Sequence, residues 1–335
     1  MKNVLEWLEA TVAKYPDKPA FSDTESSITF RQVYDIARNT GAYLVEQLGV
    51  DRNPVAVFAG RKMVTPAYFL GVVYAGRPYA PIDASLPDKR IEKILENLCP
   101  RAIVADRESL EHVESIVDEL AKAEGFDRPQ IFIAEDISHF EQVSCADSNC
   151  KISESAGDSV TDSENDMLAT VRRQMSMTDP LYIIYTSGST GNPKGVMTSH
   201  LSLMTYINAY CDVMHIEESD VLGNQSPLDY IAAIRDIYLP LKTGCSTAII
   251  PKEYFMEPNA LFDYMNDKKV SSVGWSVSAF TILTSLGAFE EVGLKSLRKI
   301  CFSGSVMPCR VLRKWQENLP EAHFVNQYGP TEATA

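Results

Sequence analysis

Between Thr186 and Gly195 the chain sets four hydroxyl side chains (Thr186, Ser187, Ser189, Thr190) among three glycines (Gly188, Gly191, Gly195) and one cation, Lys194. Hydroxyls, unencumbered backbone N–H groups and an ammonium within ten residues are the donor set that a phosphate chain needs. The apolar run Tyr182-Ile183-Ile184-Tyr185 leads directly into them, so a strand delivers a flexible loop of donors. The spacing is not that of a Walker loop, because Gly195 follows Lys194 where a Ser or Thr would be needed to hold Mg2+. It is not a dinucleotide fingerprint either, since no helix opens from the glycines. On composition alone, a Gly/Ser surface turn is the competing reading.

The elements that must position this loop read as an α/β alternation. Helical spacing runs over 4–16, about 31–48, 63–76 and 87–97. Short apolar strands are expected at 55–58, 79–82, 102–105 and 130–133, with a hairpin over 20–30. Short continuous apolar runs between helices predict parallel strands buried on both faces. Residues 141–178 break the pattern. Ser144–Asn165 is dominated by Ser, Asp, Asn and Glu, with too little apolar surface to offset the entropy of ordering. The expected organisation is a first α/β subdomain over 1–140, an acidic flexible linker or insertion over 141–178, and a second α/β subdomain over 179–335. In the second part a return strand follows at 195–197, then helices at 200–214, 231–241, 259–268, 279–286 and 308–318. Strands at 221–222, 247–250, 273–277, 299–302 and 324–326 lie between them.

Composition narrows the partners. The 335 residues are 45% hydrophobic and 23% charged, ordinary for a globular chain. Lys plus Arg number 31 against 45 Asp plus Glu, a net charge of −14, which argues against nucleic acid or an anionic membrane surface as partner. An anionic ligand must then be held by local donors. No signal-peptide order opens the chain and no apolar run reaches membrane-spanning length. The seven cysteines are scattered, and only Cys145 and Cys150 are close, so reduced thiols in a cytoplasmic protein are expected.

Thr186-Ser187-Gly188-Ser189-Thr190-Gly191-Asn192-Pro193-Lys194-Gly195 resembles the phosphate loop of the adenylate-forming superfamily. Asn326-Gln327-Tyr328-Gly329-Pro330-Thr331-Glu332 is similar to that family's second signature, and the two lie in the family's order, about 140 residues apart. Tyr68–Asp83 and its continuation Pro87-Asp88-Lys89-Arg90-Ile91 resemble the early motif of amino-acid adenylation enzymes, such as nonribosomal peptide synthetase domains and D-alanine–carrier-protein ligases. The resemblance covers essentially all of 1–335, corresponding to the family's large N-terminal part.

The resemblance implies two packed, parallel-type sheets flanked by helices, and a reaction in two steps. ATP activates a carboxylic acid, in most such relatives an amino acid, as an acyl-adenylate with release of pyrophosphate. A phosphopantetheine thiol on a carrier protein, or CoA, then takes the acyl group. By the same resemblance Thr186, Ser187, Ser189 and Thr190, with the N–H groups of Gly188 and Gly191, would hold the β- and γ-phosphates, and Lys194 would add a point charge. Gly304 would let backbone approach the adenine, Asn326 would read its amino edge and Tyr328 would stack on it. Gln327 and Gly329 complete that segment. Thr331 would reach the α-phosphate and Glu332 would bind Mg2+.

One stretch departs from the family pattern. Where amino-acid-activating members carry an Asp that grips the substrate ammonium, ungapped matching of Asn224–Tyr238 places Ile231, and Asp229 lies two residues earlier. Either Asp229 binds an amino group in a shifted position, for example of a β-amino acid, or the acid carries no α-amine, as in an acyl- or aryl-CoA ligase. Arg235 either enters the acyl pocket to pair with a polar group or is a solvated helix cation, and Trp275 is either pocket wall or core. The family's ribose-binding Asp, hinge and lid lysine find no match before Ala335. The 335 residues alone are therefore expected to be impaired in catalysis, or to form a catalytically incompetent fragment.

Overall fold

The computed structural model describes residues 2–139, 167–187 and 191–334. Among these residues thirteen strands form two sheets. Those of the first half are β1 (Pro19–Ser22), β2 (Ser27–Thr29), β3 (Val55–Phe58), β4 (Tyr79–Pro81), β5 (Ala102–Ala105) and β6 (Gln130–Ile133). Those of the second are β7 (Pro180–Ser187), β8 (Pro193–Ser199), β9 (Val221–Asn224), β10 (Ser246–Ile249), β11 (Ser272–Ser276), β12 (Lys299–Ser303) and β13 (His323–Asn326). The six-stranded sheet has the order β6-β5-β3-β4-β7-β8 and the seven-stranded sheet β13-β12-β11-β9-β10-β1-β2. Every pair is parallel except the hairpins β1–β2 and β7–β8. The expected two-sheet α/β class is observed.

The sheets do not follow the sequence division at 141–178. The N-terminal hairpin leaves its own half, and Phe21 and Ser22 pair with Thr247 and Ala248 of β10. In exchange β7 joins β4. Each sheet is thus built from both halves of the chain. Ser144–Asn165, with Cys145 and Cys150, lies outside the described residues, but part of the expected linker is helical. Met167–Gln174 forms a helix whose Leu168 and Val171 are buried in the central core. Its Arg172 pairs with Glu9. Among the described residues no helix is long and apolar enough to cross a membrane.

The short apolar runs serve two cores at once. Val55 and Val57 belong to the central cluster, whereas Ala56 and Phe58 face the outer cluster of the six-stranded sheet, as the period of a strand requires. The central cluster also holds the helices Phe30–Leu48, Thr65–Tyr74, His200–Met214 and Ile234–Thr243, with residues of both sheets. The first two of these helices meet through glycine: a Cβ on Gly41 would come within 2.5 Å of Tyr74 Cβ, and one on Gly71 within 2.5 Å of Thr40 Cβ. A third cluster, around Trp275 and Trp315, lines the other face of the seven-stranded sheet.

His200 locks the N-terminus to this core. Its Nδ1 accepts from the Val4 N–H at 3.4 Å, and the ring is buried. Burial lowers its pKa from 6.5 to about 4, with Asp179 opposing that shift. The folded pKa lies below the unfolded one, so unfolding takes up a proton between those values and stability falls as pH drops from about 6.5 to about 4. The full effect is on the order of 3 kcal/mol. Urea midpoints of His200→Gln and the parent protein should therefore converge on acidification. A constant gap across that range would remove His200 from the account.

Candidate functional site

Thr186 and Lys194 face each other in the β7–β8 ladder, as do Ser187 and Pro193. Thr186 Oγ1 donates to the Lys194 carbonyl at a long 3.5 Å, leaving the hydroxyl weakly committed. Ser187 and Lys194 are exposed, and Gly191 takes φ 79°, left-handed backbone suited to glycine. Gly188, Ser189 and Thr190 lie outside the described residues.

The second motif sits at the carboxyl ends of parallel strands, where α/β folds place ligand sites. Phe302 of β12 pairs with Asn326 of β13, and the Gln327 N–H extends the ladder to the Phe302 carbonyl at 2.9 Å. Gly304, directly after β12, has φ 96° and nothing within 4 Å of where a Cβ would stand, so backbone borders open space there. Asn326, Gly329 and Glu332 are exposed, Thr331 is half-buried and opens a 3-10 turn over Thr331–Ala333, and the Tyr328 ring is 94% exposed. Gln327 is the anchor: its Nε2 donates to Tyr206 Oη at 3.0 Å, and its Oε1 accepts from Cys301 Sγ at 3.3 Å. Because Tyr206 lies on the helix that follows β8, this contact ties the second motif to the body carrying the hairpin.

The four residues singled out for the acid do not gather in one place. Asp229 lines a cleft of about 210 Å3 between the two sheets, with Arg61, Asp83, Lys252 and the apolar Phe69 and Leu228. Burial raises its pKa, and the Asp83 carboxylate adds to the rise. Ile231, in the turn Ile231–Ala233, is buried in the central core. Trp275 is core: its Nε1 donates to the Gly223 carbonyl at 2.8 Å, and the rings of Phe255, Phe280 and Trp315 surround it.

Arg235 corrects the solvated-cation reading. It is 2% exposed, with Nη2 donating to the Gly274 carbonyl and Nε 3.5 Å from Asp236 Oδ1. Among the described residues Nε has no hydrogen-bond partner. Burial pushes the Asp236 carboxyl up to about 6, against Arg235, Asn224 and Arg61, which favour its charge. Gly274 makes room for it, since a Cβ there would lie 2.2 Å from Arg235 Nε.

Sequence reasoning missed Arg61, which joins the two sheets. From the loop after β3 its guanidinium donates to Asn224 Oδ1, to the Asn224 carbonyl at 2.7 Å, to the Ser226 carbonyl at 3.2 Å and to the Ile250 carbonyl. Asn224 Nδ2 in turn donates to Asp236 Oδ2 at 2.9 Å. The signal was no more than a cation three residues past a strand buried on both faces.

Two largely parallel sheets, with a Gly/Ser-rich hairpin bearing an exposed lysine on one and an exposed ring and carboxylate beside a half-buried hydroxyl at the strand ends of the other, define an α/β protein. The chain belongs to the AMP-binding enzyme family, which it matches over residues 8–335. It is 28% identical over 332 residues to the D-alanine–D-alanyl carrier protein ligases of Bacillus cereus and Bacillus anthracis, covering 99% of this chain and 59% of theirs. It thus spans less than two thirds of these relatives' length. Among solved structures, VinN in complex with L-aspartate superposes with TM-score 0.78 at 17% identity, over 100% of this chain and 78% of VinN. The N-terminal domain of FACL13 from Mycobacterium tuberculosis gives TM-score 0.78 at 18% identity, over 100% and 77%. At these identities the likeness is one of fold.

Proposed function

We propose that this chain forms the ATP-binding body of an adenylate-forming ligase that activates a carboxylic acid, most readily an amino acid, for transfer to the phosphopantetheine of a carrier protein. The observation that carries this reading is the arrangement of exposed polar side chains: Ser187 and Lys194 on one hairpin, and Asn326, Tyr328 and the Glu332 carboxylate at the ends of β12–β13. The 28% identity to carrier-protein ligases supports the class of acceptor.

The chemical problem is to bring two anions together. A carboxylate oxygen attacks the α-phosphorus of ATP, the α–β bridging bond breaks and pyrophosphate leaves with the electron pair. Positioned donors lower this barrier because they need not reorganise as charge shifts to the leaving group. In this reading Thr186, Ser187 and Lys194, with the Gly191 backbone and the loop residues Gly188, Ser189 and Thr190, hold the β- and γ-phosphates. Asn326 and Tyr328 hold the adenine beside Gly304, and Thr331 donates to the α-phosphate. Gln327 and Gly329 shape that segment. An exposed carboxylate next to a hydroxyl, as at Glu332, suits Mg2+, which takes one or two carboxylates and completes its shell with phosphate and water. When bound, Mg2+ neutralises charge on the phosphates, and Glu332 would hold it there.

Asp229 is the candidate for the substrate amine. It borders a cleft with a second carboxylate at Asp83, and its raised pKa is what a nearby cation would reverse. VinN, whose complexes contain L-aspartate and 3-methylaspartate, shares the fold. The second reading, a CoA ligase for an amine-free acid, is favoured by the apolar Ile231 at the usual gripping position. Pyrophosphate exchange by the intact protein across α-amino, β-amino and amine-free acids separates them. Asp229→Ala is expected to raise KM for an amino acid at least about tenfold, with KM for ATP unchanged. Exchange confined to amine-free acids would overturn the amino-acid reading.

A further inference from the structure

The β7–β8 hairpin has little sheet behind it. On its β4 side β7 is paired only at Tyr182, through Tyr79, and β8 is the edge of the sheet. Beyond Tyr182 the hairpin's strand pairing is its own ladder; Ile183 and Ile184 are packed in the cores, whereas Thr186, Ser187 and Lys194 at its far end are not. Support comes from the helix Asp88–Leu98. Its residues Ile91, Ile94, Leu95 and Leu98 are buried in the outer cluster of the six-stranded sheet, which fixes the helix. Lys93 and Asn97, one turn apart and so on one face, point away from that core. Asn97 Oδ1 accepts from Tyr185 Oη at 2.8 Å, and Lys93 Nζ donates to Asn192 Oδ1 at 3.2 Å. The first contact holds the ascending strand one residue before Thr186. The second holds the descending side two residues before Lys194. Gly195 completes the grip: it faces Tyr185 in the ladder, and a Cβ there would come 3.1 Å from Tyr185 Cζ.

We propose that Lys93 and Asn97 are positioning residues for ATP, clamping the two stems of the hairpin so that its donors stay aimed at the phosphate chain. This rests on reading Thr186–Gly195 as a phosphate loop. The role is alignment and not added charge, because Glu96 lines the same cleft as Lys93 and Asn192. Alignment matters because small displacements of binding groups are amplified in the rate.

The test is steady-state exchange with the intact protein, varying ATP and acid separately. Lys93→Met and Asn97→Ala should each raise KM for ATP roughly three- to tenfold, leave KM for the acid unchanged, and leave the thermal midpoint in place. Asn97→Ala combined with Tyr185→Phe, and Lys93→Met combined with Asn192→Ala, should be no worse than the more severe single change, since each pair shares one bond. Additive effects in the second pair would mean that Lys93 acts by its charge, and would overturn the proposal. Unchanged KM for ATP in both single variants, with Lys194→Ala impaired, overturns the clamp alone. Unchanged KM for ATP and kcat in Lys194→Ala as well overturns the phosphate-loop reading, and the clamp with it.

Discussion

Gly274→Ala is expected to be the most destabilising small substitution in the molecule, lowering unfolding free energy by about 4 kcal/mol. The added methyl would lie within 2.5 Å of Arg235 Nε, Cζ and Nη2, far inside contact distance. Arg235 cannot swing into water, being 2% exposed on the buried face of its own helix, Ile234–Thr243. Moving it also strips Asp236 of its nearest cation, and a buried carboxylate left unpaired costs several kcal/mol. Chemical denaturation should show the loss as a lower midpoint at unchanged m-value. A loss under about 1 kcal/mol would mean that the arginine has a second resting place.

Lys194→Ala should have the largest effect on activity, slowing pyrophosphate exchange by about two orders of magnitude, as loss of one preorganised charge-stabilising donor does. Lys194 is exposed, so the thermal midpoint should stay within a few degrees of the parent. Lys194→Arg should recover only part of the rate, because a planar fork does not replace a point charge in register with Thr186. A tenfold or smaller loss would mean that the backbone and hydroxyls of the hairpin do most of the work.

The parts of this molecule readable from sequence were those where one physical requirement dominates. Val55–Phe58 is buried on both faces, and an uninterrupted apolar tetrapeptide between helices admits little else. In the helix expected over 63–76, Gly71 allows close packing against Thr40. The helix Leu110–Leu120, for which the strand-to-strand alternation of 102–133 offers no expectation, carries its signal in Val113, Ile116, Val117 and Leu120. Met167–Gln174 was hidden by the polar stretch before it and by its paired arginines, although its apolar face is only three buried residues wide. The crossing of β1 and β2 into the other sheet had no local signal, since it depends on which edge is free after the rest has folded.

In the site, the two motifs were legible because each is a dense run of donors. The acid side was not. Ile231, Arg235 and Trp275 are near one another in strand and helix order, but each points into packed interior, whereas Asp229 faces the cleft between the sheets. The buried chain from Arg61 through Asn224 to Asp236 joins residues that are 163 and 12 positions apart, beyond the reach of any local pattern.

The most direct test of the divided nucleotide site is to identify the products that the intact protein makes from ATP, by phosphorus NMR, with and without a carboxylic acid. Cleavage between the α- and β-phosphates, giving pyrophosphate and the acyl-adenylate (AMP once water or a thiol takes the acyl group) only when an acid is present, and lost together in Lys194→Ala and Glu332→Gln, is the predicted result. Formation of ADP and orthophosphate, or cleavage indifferent to both substitutions, would contradict it.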